Sequence, residues 1–432
     1  MQRNWFLGDV LDQLFDRPGK KRGIDDKRSV SELCEALLSA EGEVSGFALA
    51  STILDRYQTL DDPEKLDFFA YLNDQLELDA DQLCETARHY AEYRSVDLYK
   101  KLSEAAEPKR QELLRRLNQP SGATQELVAM RVDLLRFLKS NPELKRTDVD
   151  FVHLLRSWFN RGFLVLKQIS WDTPARVLDK IVAYEAVHQI HDLDDLRRRL
   201  FPPDRRCFAF FHPSMPDEPL IFVEVALTTE IPNAIDVLLS EVREPIEPEQ
   251  ATIAAFYSIS NCQRGLTGIS FGNLLIKQVV TELSRELPGL DTFVTLSPIP
   301  GMNRWLAGET GHLEHGHAAE AVLAGTAPPQ DVRAMAARYL LLAKREDGMP
   351  LDPVARFHLG NGAELHELHA GADPSQNGRS QSGGAMVNYL YDLKKTERNH
   401  EEFVAHATIE TSRSVRAAST AVLAARPEEN PA

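Results

Sequence analysis

The chain has 432 residues, of which 43% are hydrophobic and 26% are charged, a composition typical of a globular protein. This length exceeds what one hydrophobic core usually serves, so we expect two domains. The formal net charge of −16 argues against a general nucleic-acid-binding protein, whose affinity depends on clustered lysine and arginine.

Cysteine content and hydropathy indicate a reducing compartment and no membrane anchor. The four cysteines lie far apart and form no C-x-x-C pair, which argues against a disulfide framework and a zinc knuckle. No run approaches the roughly 18 consecutive apolar residues of a membrane helix. The first residues lack a basic segment followed by an apolar one, so we expect no signal peptide and predict the cytoplasm as the compartment.

Residues 1–160 are predicted to form a helical bundle. Ser29 and Glu32 have the spacing of a capping box, and Asp62-Pro63 places a proline in the first turn of another helix. Further segments with helical periodicity follow, joined by short polar connections. Nothing in this region matches a catalytic motif, so we interpret it as a scaffold or oligomerisation domain and expect a homo-oligomer.

Residues 161–425 are predicted to form a mixed α/β domain, because short β-rich runs alternate there with helical segments. A Gly- and Ser-rich stretch, residues 371–384, is expected to be a mobile loop that closes over a site. A final helix is expected from about Thr396 to Ala425. The predicted fold class is therefore α+β, with an all-α bundle preceding a mixed α/β domain.

The most informative stretch, residues 253–301, has the pattern strand, glycine loop, helix, strand. A β-branched and aromatic run is followed by Gly265, Gly268 and Gly272, and an apolar-periodic helix then precedes a second strand that stops at Ser297. The free backbone N–H groups of such a loop, together with a helix N-terminus, bind phosphate or pyrophosphate. We therefore predict an anion site at this loop.

Two functional interpretations fit the glycine loop. Residues 268–272 match G-x-S-x-G, the nucleophile elbow of hydrolases, but an elbow serine directly follows its strand, whereas residues 261–267 separate Ser270 from this one. Residues 267–275 are similar to the acyl-CoA pyrophosphate loop of the GNAT acyltransferase superfamily, with Ser270 where a central glycine is usual. We favour the acyl-CoA interpretation.

Ser297 and His358 have both structural and functional interpretations. Ser297 ends a strand and either caps the next helix or faces a ligand beyond the carboxyl end of the sheet. His358 closes a short helix that begins at Pro353, where the helix C-terminus favours an imidazolium and hence a proton donor; a purely structural histidine stays open. The histidines of residues 312–317 and 366–369 lack H-E-x-x-H spacing, so we expect no metal site.

Several segments together resemble the malonyl-CoA decarboxylase family. They read FYSIS, the glycine loop, TLSPIPG, DPVARFHLGNGA and MVNYLYDL, and two upstream segments agree as well, so the resemblance spans residues 162–393. It implies a helical N-terminal domain followed by a GNAT-like catalytic domain that binds acyl-CoA. It further implies conversion of malonyl-CoA to acetyl-CoA and CO2 without a metal or organic cofactor, and neither nucleic acid nor a membrane as partner.

The resemblance also implies roles for individual residues. The family's catalytic serine and histidine correspond to Ser297 and His358, and two further active-site positions correspond to Ser258 and Tyr391. The malonyl-CoA-binding loop corresponds to Thr267, Gly268, Ile269, Ser270, Phe271, Gly272 and Asn273. Ser270 stands where some members carry a glutamate, so any role of that glutamate is absent or transferred here.

A malonyl thioester can lose CO2 without a cofactor, because the electrons left behind move onto its carbonyl oxygen as an enolate. We expect His358 to stabilise or protonate this enolate, and Ser297 to hydrogen-bond the carboxylate or relay the proton. Two alternatives stay open: an acyltransferase that passes an acyl group to an amine, and a non-catalytic regulator that binds malonyl-CoA. A hydrolase that uses Ser270 is a minor alternative.

Overall fold

The computed structural model describes residues 26–40, 42–269, 272–312 and 314–421. The chain divides into two compact units. The helical unit comprises the residues up to Asn160 together with Gln263–Ile269, and the α/β unit comprises Arg161–Cys262 and the residues from 270 onward. Within the described residues, no helix is both long enough and apolar enough to cross a membrane.

In the helical unit, side chains cap several of the helix starts. Its helices within the described residues are α1 (Val30–Ser39), α2 (Glu43–Thr59), α3 (Asp62–Asp74), α4 (Ala80–Tyr93), α5 (Val96–Ala105), α6 (Lys109–Leu117), α7 (Ala123–Phe137) and α8 (Lys145–Trp158). The predicted capping box is confirmed: the Ser29 hydroxyl accepts the Glu32 N–H at 3.2 Å, and the Glu32 carboxylate accepts the Ser29 N–H at 2.6 Å. Asp61 and Glu64 form a second box at α3. Such boxes satisfy N–H groups that a helix start otherwise leaves unpaired.

The segment Gln263–Ile269 packs on α7 through its backbone carbonyls. Arg131, a buried residue of α7, donates to the carbonyl oxygens of Gly265 at 2.6 Å and Thr267 at 2.9 Å. A Cβ atom on Gly265 would lie 2.0 Å from the carbonyl oxygen of Val128, so a glycine is required there. This glycine therefore permits close packing within the helical unit, a role that the sequence pattern did not indicate.

The α/β unit is a mixed sheet with helices connecting its strands. The strands are β1 (Val165–Ile169), β2 (Arg205–Phe211), β3 (Ile221–Thr228), β4 (Ile253–Asn261), β5 (Thr292–Thr295), β6 (Ser297–Pro298), β7 (Glu364–His369) and β8 (Met386–Leu390). The helices are α9 (Ala175–Tyr184), α10 (Leu193–Leu200), α11 (Ile235–Leu239), α12 (Gly272–Glu286), α13 (Met302–Glu309), α14 (Gly316–Leu323), α15 (Pro329–Leu342), α16 (Pro353–Gly360), α17 (Gln376–Ser382), α18 (Thr396–His406) and α19 (Arg413–Ser419). The predicted fold class, helices first and a mixed α/β domain second, is confirmed.

The strands follow the order β1-β2-β3-β4-β5-β8-β6, and β7 also pairs with β8. Neighbouring strands are antiparallel except β4 and β5, which run parallel. Helix α12 connects this parallel pair, so the βαβ unit predicted from the sequence is confirmed. Strands β2, β3 and β4 are buried along nearly their whole length, which explains their almost continuous apolar sequences.

The parallel pairing of β4 with β5 is short, and it leaves a gap beside the second half of β4. The two strands pair from Ile253 opposite Thr292 to Phe256 opposite Thr295. Strand β4 then continues to Asn261, whereas β5 ends and the chain enters β6, which pairs with β8 instead. The strands therefore diverge beyond Phe256, and this divergence makes room for side chains and a cavity.

Two predictions in this unit are wrong. The stretch 371–384, expected to be a loop, contains helix α17, which Ser375 caps. Short polar residues cap helices as readily as they form loops, so composition misled here. The helix expected from Thr396 to Ala425 instead ends at His406, because Ala407 adopts φ 53°, and the separate helix α19 follows. Residues beyond 421 lie outside the described part of the chain.

Candidate active site

Three of the predicted site residues meet in a buried hydrogen-bonded chain. Ser297 lies on β6, His358 near the end of α16, and Tyr391 directly after β8. The Ser297 Oγ lies 3.2 Å from His358 Nε2, and the Tyr391 hydroxyl lies 2.8 Å from His358 Nδ1. All three residues are buried, with His358 only 2% exposed. Both ring nitrogens of the histidine therefore have a partner, which fixes the orientation of the ring.

The sheet brings Ser297 and Tyr391 to the same place. Ser297 pairs with Val387 of β8 in antiparallel register. At the other end of β8, the N–H of Tyr391 donates to the carbonyl oxygen of Phe293 in β5 at 2.8 Å. Residues that are far apart in the sequence thus become neighbours because β8 pairs with both β5 and β6.

Helix α16 supplies His358. Asp352 caps this helix by accepting the Ala355 N–H at 2.7 Å, and Pro353 occupies the first turn, so the predicted helix start is confirmed. The imidazole ring of His358 stacks on the ring of Tyr389, with centroids 4.5 Å apart and an interplanar angle of 22°. The stacking and the two hydrogen bonds together leave the imidazole little freedom to rotate.

Thr295 extends the chain, although the sequence pattern did not single it out. The Ser297 hydroxyl donates to Thr295 Oγ1 at 2.9 Å. The backbone N–H of Tyr389 donates to the same oxygen at 3.2 Å. Thr295 precedes Ser297 by two residues, and side chains at this spacing share one face of an extended segment. This spacing is the one sequence signal that would have pointed to Thr295.

Burial keeps the hydrogen-bonded residues His358 and Tyr391 uncharged near neutral pH. Loss of hydration lowers the pKa of His358 to about 3, so its imidazole is neutral. Burial also raises the pKa of the Tyr391 hydroxyl well above its usual range, so this hydroxyl stays protonated. The expectation that the helix C-terminus favours an imidazolium at His358 is therefore wrong, because desolvation outweighs the helix dipole.

A cavity of about 210 Å³ adjoins the hydrogen-bonded chain at Ser297 and His358, where β4 diverges from β5. The residues that line it are Val187, Phe256, Tyr257, Ile259, Asn261, Ser297, Pro298, Pro353, Val354, Phe357 and His358. These described lining residues include no lysine, arginine, aspartate or glutamate. Among the described residues, an acyl group in this cavity would therefore meet the Ser297 hydroxyl, the His358 imidazole, the Asn261 amide and mostly apolar walls, but no ionised side chain.

Ser258 contacts a carboxylate. Its hydroxyl lies within 2.9 Å of one carboxylate oxygen of Glu185 and 2.8 Å of the other. Glu185 also accepts the backbone N–H groups of Val187 at 2.8 Å and His188 at 2.9 Å. The bond between Ser258 and Glu185 thus helps to hold the segment that places Val187 in the cavity wall. The role of Ser258 in substrate binding stays a prediction.

Glu185 belongs to a carboxylate–arginine cluster, which we define as Glu185, Asp195, Arg199 and Glu224. The Arg199 guanidinium donates to Glu224 at 3.2 Å, to Asp195 at 3.2 Å and to the carbonyl oxygen of His188 at 2.8 Å. Burial raises the pKa of Glu224, the nearby carboxylate of Glu185 adds to this effect and Arg199 opposes both, so that the pKa is about 8. Glu224 therefore keeps its proton in most molecules near neutral pH.

The first part of the predicted malonyl-CoA-binding loop belongs to the helical unit. Thr267, Gly268 and Ile269 lie in the segment that packs on α7. The Thr267 hydroxyl donates to the carbonyl oxygen of Arg264 at 2.7 Å, and Arg156 of α8 donates to that of Gly268 at 3.3 Å. Gly268 has φ +82°, a left-handed conformation that favours glycine. The hydrogen bonds give this part of the loop a defined conformation.

The second part of this loop leads into α12. Ser270 and Phe271 lie outside the described residues. Gly272 and Asn273 are the first residues of α12. A helix N-terminus thus follows the loop, as the predicted anion site requires. The substrate-binding roles of all seven loop residues stay predictions.

A small histidine cluster lies between α13 and α14. The ligand atoms of His312, Glu314 and His315 all lie within 4.8 Å of one another, the one such metal-type group found in the described part of the chain. His312 Nδ1 accepts the Glu314 N–H at 3.2 Å, and His315 Nε2 lies 2.8 Å from a carboxylate oxygen of Glu309. One nitrogen of each ring is therefore already engaged, and the expected lack of a metal site stays a prediction.

Comparison with known proteins identifies the family. A sequence model of the malonyl-CoA decarboxylase C-terminal domain matches residues 162–430, and a model of the N-terminal domain of the same family matches residues 76–159. The mitochondrial malonyl-CoA decarboxylases of Anser anser anser and Mus musculus are each 34% identical to this chain. The alignments cover 71% and 73% of this chain, and 69% and 72% of those relatives.

Solved structures agree with the sequence comparison. A malonyl-CoA decarboxylase from Rhodopseudomonas palustris is 51% identical with a TM-score of 0.84, covering 90% of this chain and 98% of that one. A malonyl-CoA decarboxylase from Agrobacterium vitis is 47% identical with a TM-score of 0.86, covering 91% of this chain and 100% of that one. The resemblance found in the sequence is confirmed, and this chain belongs to the malonyl-CoA decarboxylase family.

Proposed function

We propose that this chain is a carboxy-lyase that converts malonyl-CoA to acetyl-CoA and CO2 at the site formed by Ser297, His358 and Tyr391. The observation that carries the proposal is a buried, uncharged serine–histidine pair beside a cavity whose described lining has no ionised side chain, in a member of this family. The shared family supports the substrate, and the geometry supports the chemistry. The assignment of roles to individual residues is our own.

The reaction places three demands on the protein. As the bond to the carboxylate breaks, its electron pair moves into the thioester, and negative charge collects on the carbonyl oxygen as an enolate. The enolate then takes up a proton at carbon to give the acetyl group. The protein must therefore hold the carboxylate out of water, stabilise the enolate oxygen and supply the proton. The thioester itself is the electron sink.

The hydrogen-bonded chain suits the second and third demands. Because the Ser297 hydroxyl donates to Thr295, its oxygen accepts from His358, which places the imidazole proton on Nε2. Nδ1 then accepts from Tyr391, whose hydroxyl remains protonated. A neutral imidazole with this tautomer donates through Nε2–H toward the Ser297 side, where it can hydrogen-bond the enolate. As Nε2 passes this proton to the enolate carbon, Nδ1 takes the Tyr391 proton, so the ring stays neutral, and solvent then restores the proton of Tyr391. Preorganised donors of this kind typically contribute about 3–4 kcal/mol each.

The lack of ionised residues in the described cavity lining suits the first demand. A lysine or arginine beside the malonyl carboxylate would stabilise the substrate, whose charge is localised, more than the transition state, in which that charge is moving away. Apolar walls such as Val354 and Phe357 have the opposite effect. We propose that the Ser297 hydroxyl orients the carboxylate by exchanging Thr295 for a carboxylate oxygen as its hydrogen-bond acceptor, and that burial favours loss of this carboxylate as CO2.

The test is product analysis with purified protein and malonyl-CoA, without added metal. We expect malonyl-CoA to disappear as equal amounts of acetyl-CoA and CO2 appear, and we expect His358→Ala to bind malonyl-CoA but hardly turn it over. Malonate with free CoA would instead show hydrolysis. Malonyl-CoA that stays bound and intact would show a regulator, and a product that forms only with an added amine would show an acyltransferase.

We also propose that the helical unit mediates self-association into a homo-oligomer. Helices α4 and α5 pack against each other, yet neither contains a buried residue. Their apolar side chains remain accessible, with Tyr93 66%, Val96 70% and Tyr99 58% exposed. Aromatic and aliphatic surface of this kind is typical of a protein–protein interface, and a second copy of the chain is the simplest occupant.

The oligomer proposal is tested by light scattering after size-exclusion chromatography. We expect the wild-type mass to be a multiple of 48.5 kDa and Tyr99→Glu to lower it. Val242→Glu, at a residue of the α/β unit that is 94% exposed, is the matched control and is expected to keep the wild-type mass. A monomeric wild-type protein would contradict the proposal.

We propose the cytoplasm as the compartment, because the cysteines do not form disulfides. Cys34, Cys84, Cys207 and Cys262 are all free, and Cys84 is exposed. Free, accessible thiols persist in reducing compartments. Fractionation of source cells, followed by detection of the protein in each fraction, tests this proposal.

A further inference from the structure

Thr295 enters the proposed function only as the acceptor of the Ser297 hydroxyl. It is 1% exposed and is the last residue of β5. We propose that Thr295 is a positioning residue, which fixes the direction of the hydrogen-bond chain and thereby the tautomer in which His358 acts. This inference rests on the proposed function for its kinetic test, but not for its spectroscopic one.

The geometry makes Thr295 the end of the chain. Its Oγ1 accepts from the Ser297 hydroxyl at 2.9 Å and from the backbone N–H of Tyr389 at 3.2 Å. A backbone N–H can only donate, so this second bond occupies one lone pair of Oγ1 and holds the oxygen in place, while the other lone pair accepts from Ser297. The carbonyl oxygen of Thr295 accepts from the Asn388 side chain at 2.8 Å. Thr295 is thus held through both its side chain and its backbone.

Each bond in the chain then has one direction. With Thr295 accepting, the Ser297 proton points away from His358, and the Ser297 oxygen accepts from His358 Nε2. A neutral imidazole carries one N–H, so Nδ1 must accept, and Tyr391 must donate to it. If Thr295 donated to Ser297 instead, the Ser297 proton could point to His358 Nε2, and the imidazole could adopt the opposite tautomer. That tautomer lacks a proton at Nε2, the nitrogen that faces Ser297.

Two variants at Thr295 separate its hydroxyl oxygen from its shape. Thr295→Val keeps the branched shape and removes the acceptor, whereas Thr295→Ser keeps the acceptor and removes only a methyl group. We expect Thr295→Val to lower kcat by roughly 10- to 100-fold with KM changed by no more than about threefold, because a misplaced reacting group lowers the rate more than it weakens binding. We expect Thr295→Ser to keep kcat within about threefold of wild type.

Nitrogen NMR of histidine-labelled protein provides a readout that a purely structural role would not change. The His358 signals, assigned by their loss in His358→Gln, should show a protonated Nε2 and an unprotonated Nδ1 in the wild type and in Thr295→Ser. In Thr295→Val we expect a mixture of both tautomers, so the Nδ1 and Nε2 signals should move toward each other.

The outcomes distinguish the inference from the proposed function. Full kcat in Thr295→Val, equal losses in both variants, or an unchanged His358 tautomer in Thr295→Val would each overturn the role of Thr295. A wild-type protein that does not decarboxylate malonyl-CoA would overturn the proposed function alone, because the tautomer comparison needs no turnover. Loss of kcat in the valine variant, a shifted tautomer and recovery in the serine variant would together establish the role.

Discussion

The α/β unit contains two buried polar groups of residues that differ in charge. The chain from Tyr391 through His358 and Ser297 to Thr295 is neutral, because burial holds the pKa of its histidine to about 3 and that of its tyrosine far above neutral. The carboxylate–arginine cluster instead buries a guanidinium among carboxylates, with Arg199 3% exposed. Both groups lie in the α/β unit and both are hydrogen-bonded, yet their donors are directed differently.

The difference lies in which donors remain for a ligand. Arg199 uses its guanidinium on Glu224, Asp195 and the carbonyl oxygens of His188 and Gln189, so its bonds hold the fold together. The neutral chain borders a cavity, and its members can exchange one partner for a substrate oxygen without separating opposite charges. A buried, hydrogen-bonded group of residues can therefore serve either stability or chemistry. An adjoining cavity whose described lining has no ionised side chain indicates chemistry.

Removing the imidazole should produce the largest effect. We expect His358→Ala to lower kcat by roughly 100- to 10,000-fold, because the proposed proton donor and enolate ligand is lost. The measurement is the initial rate of acetyl-CoA formation under saturating malonyl-CoA. His406→Ala, at an exposed histidine that ends α18, is the matched control and should retain wild-type activity. If both variants kept the wild-type rate, the His358 imidazole would have no role in turnover.

Breaking the carboxylate–arginine cluster should act on stability. We expect Arg199→Met to lower the free energy of unfolding by roughly 3 kcal/mol, because it leaves buried carboxylate and carbonyl oxygens without their donor. Arg285→Met is the matched control: Arg285 pairs with Glu282 on the surface, and such a pair contributes no more than about 1 kcal/mol. Chemical denaturation of both variants measures the difference. Equal unfolding free energies would mean that Arg199 does not hold the cluster.

The pH dependence of stability should reveal Glu224. Its pKa is raised from 4.5 to about 8 in the folded protein, so the folded state keeps a proton that the unfolded state releases. This contribution to stability is complete below the unfolded pKa and is lost as the pH rises through the folded pKa. Between about pH 6 and about pH 9 we expect the wild type to lose on the order of 2 kcal/mol more than Glu224→Gln, which cannot ionise.

Denaturation curves at several pH values test this expectation. The glutamine side chain can still accept from Arg199, so the hydrogen bond is preserved and only the titration is removed. Parallel pH profiles for the wild type and the variant would show that Glu224 titrates in its ordinary range. Such a result would contradict the burial argument for the carboxylate–arginine cluster.

Introducing a cation into the neutral cavity should have the smallest effect. Asn261 is an exposed lining residue at the end of β4. We expect Asn261→Lys to lower KM and to lower kcat by about tenfold, because an ammonium near the carboxylate stabilises the substrate more than the transition state. Asn261→Gln is the neutral control and should change both constants less. A higher kcat in the lysine variant would argue against the proposed benefit of an uncharged wall.

Local sequence signals predicted the parts of this site that depend on neighbouring residues. The alternation of strand, glycine loop and helix predicted the βαβ unit, and the Asp352-Pro353 start predicted the helix that carries His358, because capping and proline preferences act over one helical turn. Segment resemblance then identified Ser297 and His358 as candidates. Thr295 offered only its two-residue spacing from Ser297. Tyr389 offered no local signal, because it reaches Thr295 only when β8 pairs with β5 and β6.

By itself, the sequence determined the order of the elements, the helical and α/β regions and the family, since these follow from periodicity, caps and motif order. Tertiary structure alone decided the charge state of His358, the partner of Ser258 and the packing role of Gly265. Each of these depends on how much water and which atoms surround the residue after distant segments have packed. The imidazolium expected from helix position shows the difference: the dipole is a local property, but desolvation is set by the whole fold and has the larger effect.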